Sequence, residues 1–162
     1  MAVRNIRLVV AYDGTRYHGW QRQKNGLAVQ EVIENKLGMM TKLPVKLLAS
    51  GRTDAGVHAL NQICNFETRS LIPIDALWRG LNALLPSDIF IKDAAVVPLE
   101  FHSRYRAKSK IYEYRILNRE YPDIFRRNAL WHIRLPLDVE KMSECLSLIK
   151  GTHDFSSFKS SG

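Results

Sequence analysis

The segment Gly51-Arg52-Thr53-Asp54-Ala55-Gly56-Val57-His58-Ala59 sets a polar turn between two apolar runs, which restricts this part of the chain to a strand, a loop and a second strand. Leu47, Leu48 and Ala49 lead in, and Ile63 and Phe66 lie in the run that follows. The two glycines let the backbone reverse with positive φ angles at little steric cost. In an extended segment Arg52 and Asp54 project to the same side, and a guanidinium beside a carboxylate favours its ionised form. An ionised, held aspartate is suited to act as a nucleophile or a base. Aspartate is also a common turn former, so capping of the loop is the alternative reading of Asp54.

The periodicity on either side predicts an α+β fold, a mostly antiparallel sheet with helices packed on one face. Ile6, Leu8, Val10 and Tyr12 alternate as a strand requires. Val29, Val32, Ile33, Leu37 and Met40 share one helical face. So do Ile74, Leu77, Trp78, Leu81 and Leu85, with Pro73 suited to the first turn and Pro86 as the stop. Residues 89–97 and 110–117 read as strands. A last helix is expected from Asp138, its N-cap, to Gly151, its C-terminal cap. One domain over residues 1–162 is expected, because a chain of 162 residues, 46% of them hydrophobic, can bury one core.

The net charge of +8 favours a polyanionic partner. The basic residues gather at Arg16, Arg22 and Lys24, and again at Arg104, Arg106, Lys108, Lys110, Arg115 and Arg119. Tyr105, Tyr112 and Tyr114 interleave with the second group, a pattern that suits RNA: bases stack on the rings while phosphates meet the cations. A solvated strand face is the other reading of the same charges, and inward packing the other reading of Tyr112 and Tyr114. No apolar run is long enough to span a bilayer, and Met1 to Arg7 lacks the apolar core of a signal peptide, so a cytoplasmic location is expected. Cys64 and Cys145 form no CxxC pair and read as reduced thiols. Asp13, His18, Asp54 and His58 match no metal-ligand spacing, and neither a metal nor a cofactor is expected. Trp20 reads as a packing anchor of its loop, and His58 as a hydrogen-bonded loop residue.

Four blocks in order carry a resemblance: Tyr12-Asp13-Gly14-Thr15-Arg16-Tyr17-His18-Gly19-Trp20-Gln21-Arg22-Gln23; Gly51 to Ala59; Phe101-His102-Ser103-Arg104 with Lys110-Ile111-Tyr112-Glu113-Tyr114; and Gly151-Thr152-His153-Asp154-Phe155-Ser156-Ser157-Phe158. Together they resemble the YDGxxYxGWQRQ, GRTDxGVHA, FHAR and KxYxY, and GxHDFxxF elements of the tRNA pseudouridine synthase A (TruA) family. The resemblance implies the catalytic-domain fold of that family and isomerisation of uridine to pseudouridine at positions 38, 39 and 40 of the tRNA anticodon arm. It implies Asp54 as the catalytic residue, Arg52 and Arg104 holding the nucleotide or pairing with the carboxylate, and Tyr112 stacking on the uracil. Arg22, Arg106, Lys108 and Lys110 are the expected RNA contacts, and a homodimer is the expected assembly.

Family members generally continue with a second α/β half, so residues 1–162 are expected to be an N-terminal portion, with an unpaired edge or apolar patch where the remainder would dock. Two other function classes compete with the synthase. A non-catalytic RNA-binding module would keep the charge and aromatic pattern. An aspartate-dependent hydrolase would need a second carboxylate block, and none accompanies the Asp54 loop.

Overall fold

The computed structural model describes residues 2–158. The chain divides into two compact units, Met1–Tyr112 and Glu113–Gly162, and Ser160 to Gly162 lie outside the described residues.

The first unit is built on β1 (Arg4–Tyr12), α1 (Val29–Thr41), β2 (Leu48–Ala49), β3 (Ala59–Thr68), α2 (Ile74–Leu84) and β4 (Ile89–Val97). The four strands form one sheet in the order β2-β3-β1-β4, every neighbouring pair antiparallel. In β1 the alternation is realised as read: Ile6, Leu8, Val10 and Tyr12 are buried on one face, with Leu8 opposite Cys64 of β3 and Ala94 of β4. The same core takes Ile33 and Leu37 from α1 and Leu77 and Leu81 from α2, so both helices cover that face. Each fully buried aliphatic side chain of this kind contributes about 1.5–3 kcal/mol relative to an exposed one.

Local signals explain the helix limits. The N-cap of α1, Ala28, has no side chain able to accept a hydrogen bond. Backbone carbonyls of the preceding loop take that role, Gly19 accepting from Val29 N at 3.2 Å and Trp20 from Gln30 N at 3.0 Å. Pro73 stands at the N-cap of α2 rather than inside its first turn, and the helix ends at Leu84, two residues before Pro86. Asn82 fastens α2 to β4 by donating to Ile91 O at 2.9 Å and accepting from Ile91 N at 2.8 Å.

The opposite face of the sheet carries a buried polar pair, Asn5 on β1 and Asn65 on β3, 1% and 2% exposed. Asn65 Nδ2 donates to Asn5 Oδ1 at 3.0 Å, while Asn5 Nδ2 donates to Pro98 O and Phe101 O at 3.1 and 2.9 Å. Ser103 then donates to Asn65 Oδ1 from both its amide (2.9 Å) and its hydroxyl (2.7 Å). The turn after β4 is thereby tied to two strands.

The second unit holds β5 (Ile116–Asn118) and β6 (Trp131–Ile133), paired in parallel, then α3 (Val139–Leu148). Asp138 caps α3 as expected, accepting from Lys141 N at 3.0 Å, but the C-cap is Ile149 and not Gly151, which lies two residues further on with φ of 120°. No residue from Glu113 to Phe158 is buried. The strand expected over residues 110–117 is confined to Ile116–Asn118. Alternating side chains set which way residues would face in a strand, but a strand also needs a neighbour for its backbone groups. Among the described residues no strand pairs with 110–114, and Arg115 O accepts from Trp131 N at 2.8 Å where the β5–β6 pairing begins.

Candidate active site

The Asp54 loop and the loop after β1 are bound to each other mainly through backbone. Trp20 N donates to Thr53 O at 3.1 Å and Gly56 N to Tyr17 O at 3.1 Å. Such close approach requires glycine on the facing loop. Gly19 has φ of 82°, and a Cβ there would lie 2.3 Å from Thr53 O. A Cβ on Gly14 would lie 2.0 Å from Val57 O. Side chains complete the brace: the Tyr12 hydroxyl meets Thr53 Oγ1 at 2.7 Å, and Gly14 N donates to His58 Nδ1 at 3.2 Å. Trp20, 1% exposed, packs near Tyr12 with ring centroids 5.9 Å apart, the anchoring role read for it.

Acidic groups nearby are fixed as well. Asp13 Oδ1 accepts from Thr15 N at 2.9 Å and from the Thr15 hydroxyl, and stands 3.0 Å from His58 Nδ1. The Thr15 hydroxyl and then its amide hold the Asp13 carboxyl below the ordinary 3.8 against the opposing effect of burial, and the nearby His58 adds to the lowering. Tyr17 donates its hydroxyl to Asp88 Oδ1 at 2.7 Å, and burial followed by that aspartate pushes its phenol well above the usual tyrosine range.

Asp54 sits exposed at the tip of this frame. Its carbonyl accepts from Val57 N at 3.2 Å to close the turn, while its carboxylate has no hydrogen bond or ion pair among the described residues. The side-chain cap that was the alternative reading of Asp54 is therefore not formed. The pairing expected between Arg52 and Asp54 is also not formed: Arg52 Nε donates to Gln21 Oε1 at 3.1 Å. Residues 51–54 belong to no strand and the turn lies just beyond them at Ala55–Gly56, so no ladder fixes the two side chains on one side as the same-side rule of a strand assumes.

The other predicted residues fall in the first unit too. Lys110 is brought to the loop, since a Cβ on Gly51 would lie 2.8 Å from its Nζ. Arg104 is exposed and follows the buried Ser103, its amide donating to His102 Nδ1 at 3.2 Å. Arg106 and Lys108 are exposed beyond it, and Tyr112 ends the unit 70% exposed, not packed inward. Arg22 lines an open cleft of about 590 Å³ with Gln23, Lys24, Gly26, Leu27 and Glu31. Further along the chain, Arg115 is paired with Glu113 at 2.7 Å. Sequence reasoning missed Asn5, Asn65, Gln30 and Glu34: the asparagines lie on the sheet face that alternation marks as polar, and Gln30 and Glu34 flank the apolar stripe of α1, so no local signal set them apart. Among the described residues no three His, Cys, Asp or Glu side chains gather as a metal site would require.

Residues 8–106 match the family described as tRNA pseudouridine synthase. A tRNA pseudouridine synthase A of Thermoanaerobacter sp. (strain X514) is 49% identical over 160 residues, covering 99% of this chain and 66% of that protein. One of Acetivibrio thermocellus is 48% identical with the same coverage, and one of Geotalea uraniireducens is 49% identical over 98% of this chain and 65% of its own length. This chain thus spans just under two thirds of these relatives.

Two outcomes follow from the frame. Gly19→Ala should lower stability by about 1–3 kcal/mol, because it sets a methyl group against Thr53 O at a positive φ. Gly38→Ala, in the last turn of α1 with its nearest neighbour 3.5 Å away, should be neutral or stabilising by up to about 1 kcal/mol, and urea unfolding of both variants measures the contrast. Asp13, with its folded-state value depressed, contributes stability that is present above the ordinary 3.8 and is lost as pH falls through the lowered value. Acid unfolding of Asp13→Asn should accordingly show a weaker pH dependence in that window than the parent chain.

Proposed function

This chain belongs to the tRNA pseudouridine synthase family, and on that premise we propose that it isomerises uridine to pseudouridine in tRNA with Asp54 as the catalytic carboxylate. The observation that carries this reading is an exposed carboxylate that has no hydrogen bond or ion pair among the described residues, on a loop whose backbone is bonded to the loop after β1. Such a group is held in place yet is free to meet a substrate atom. In the isomerisation the N1–C1′ bond breaks, the uracil turns and C5 bonds to C1′; C5 gives up a proton and N1 gains one. No redox partner or transferred group is needed. The carboxylate can serve by attacking the ribose, by attacking the base, or by removing the 2′ proton.

A uridine in a stem must leave its stack before it can reach Asp54. Exposed Tyr112 offers a face for the uracil, and Arg52 and Arg104 are suited to its phosphate and ribose or to filling the vacated space. Arg22, Arg106, Lys108 and Lys110 supply the phosphate contacts in this reading. The anticodon arm at positions 38, 39 and 40, a homodimer, a cytoplasmic setting and the standing of residues 1–162 as the N-terminal domain of the catalytic fold belong to the same proposal. They follow from the family resemblance; no described helix is long and apolar enough to cross a membrane.

Asp54→Asn changes one oxygen to an amide and leaves the shape of the loop almost intact. Pseudouridine formation on an anticodon-arm transcript should be abolished, with RNA affinity kept within about three-fold. Turnover retained by the variant in a chemical assay for pseudouridine would remove Asp54 from the chemistry. RNA binding without turnover in the parent chain would support the RNA-binding module instead.

The basic segment is tested separately. Neutralising Arg104, Arg106, Lys108 and Lys110 together should weaken binding and flatten the dependence of log affinity on log salt, by ~0.7–0.9 for each phosphate that the protein no longer neutralises. An unchanged slope would place the RNA surface elsewhere.

A further inference from the structure

The carboxylate of Glu34 plays no part in the chemistry above, yet its side chain is only 7% exposed and both of its oxygens face partners. Its Oε1 accepts from Gln30 Nε2 at 2.8 Å and from Leu47 N at 2.9 Å. Gln30 Nε2 also donates to Leu47 O at 3.2 Å, so two side chains of α1 hold both backbone groups of the residue that leads into β2 and the Asp54 loop. Gln30 Oε1 faces the other way and accepts from Arg22 N at 3.1 Å. The remaining Glu34 oxygen, Oε2, stands 3.6 Å from Arg22 Nη1, while Glu31 Oε1 stands 3.6 Å from Arg22 Nη2.

Arg22 is therefore fixed at its backbone and steered at its tip, by two carboxylates that attract the guanidinium without occupying its hydrogen-bond donors. Its side chain is still 55% exposed, on the wall of the open cleft that also presents Lys24. An arginine so held loses less side-chain freedom on meeting a phosphate than one that is free to wander. We propose that Glu34 is a positioning residue for RNA binding, setting the Arg22 guanidinium toward the cleft as a preformed site for an RNA phosphate. The inference rests on the reading of Arg22 as an RNA contact.

Glu34→Gln separates this role from the structural one. The amide oxygen can keep both bonds now made by Oε1, to Gln30 and to Leu47, while the amide nitrogen replaces Oε2 and no longer attracts Arg22. Affinity for an unmodified anticodon-arm transcript should fall by about five-fold at low salt, the scale of a partly exposed ion pair, with the unfolding midpoint almost unchanged. In an Arg22→Gln background the same substitution should have no further effect on affinity. An equal loss in both backgrounds, unchanged affinity, or tighter binding by Glu34→Gln would overturn the proposal, the last because it would mean that the carboxylate holds Arg22 away from RNA. If Arg22→Gln alone leaves affinity unchanged, the assignment of Arg22 fails and this inference fails with it; if only Glu34→Gln is silent, Arg22 stands and the positioning role does not.

Discussion

The backbone of Gly19 and Trp20 is the point on which the first unit turns. Their carbonyls accept the first amides of α1, and the Trp20 amide reaches in the opposite direction to Thr53 O. One dipeptide thus closes a helix start that has no capping side chain and fixes the residue next to Asp54. A buried backbone group left without a partner costs about 1–3 kcal/mol, so these bonds form and break together with the local fold. The burial of the Trp20 ring in the core beside Tyr12 adds the apolar side of the same anchor. In the role proposed for Asp54 a carboxylate must meet its substrate within a fraction of an ångström, which calls for a rigid support, and the support of this loop is mainly main chain.

The apolar alternation of β1, the faces of α1 and α2 and the extent of β4 were legible in the sequence because burial is what creates the period. The turn at Gly51 to Ala59 was legible because its glycines and polar residues interrupt that period. What could not be read was the choice of partner. Arg52 meets Gln21 and not Asp54, a contact across 31 positions that the local spacing does not encode. The segment around Tyr112 alternates like a strand, but an extended ladder depends on a neighbouring chain segment, which is a property of the whole fold. Buried Glu34 and Asn65 went unseen for a related reason: each is polar in a stretch otherwise read for its hydrophobic pattern, and only the three-dimensional arrangement reveals what satisfies it.

Charge and neutral polarity are divided between different tasks in the first unit. The residues that fasten one piece of backbone to another are largely amides and hydroxyls: Asn5, Asn65, Ser103, Gln30, Asn82 and the Tyr12–Thr53 pair. Exposed cations at Arg104, Arg106 and Lys108 stand outside these networks. Glu34 crosses the division, a buried anion whose neutral partners hold the frame on one oxygen and whose cationic partner faces solvent on the other.

The Asn5–Asn65 pair has a bearing on how the sheet chooses its alignment. Asn5 lies opposite Glu67 and Arg7 lies opposite Asn65, so the two asparagines are diagonal neighbours across the β1–β3 ladder. Sliding one strand by a single residue would turn Asn5 or Asn65 into the apolar core. A slide of two residues would keep every side chain on its own face, the error that hydrophobic patterning tolerates best. Slid one way, the two amides would part, and slid the other way Asn5 would stand directly opposite Asn65; either slide shifts Asn65, which Ser103 holds, against Asn5, which Pro98 O and Phe101 O hold. The pair therefore works as a proofreading mark: it discriminates against the misaligned sheet that the greasy residues alone could not reject.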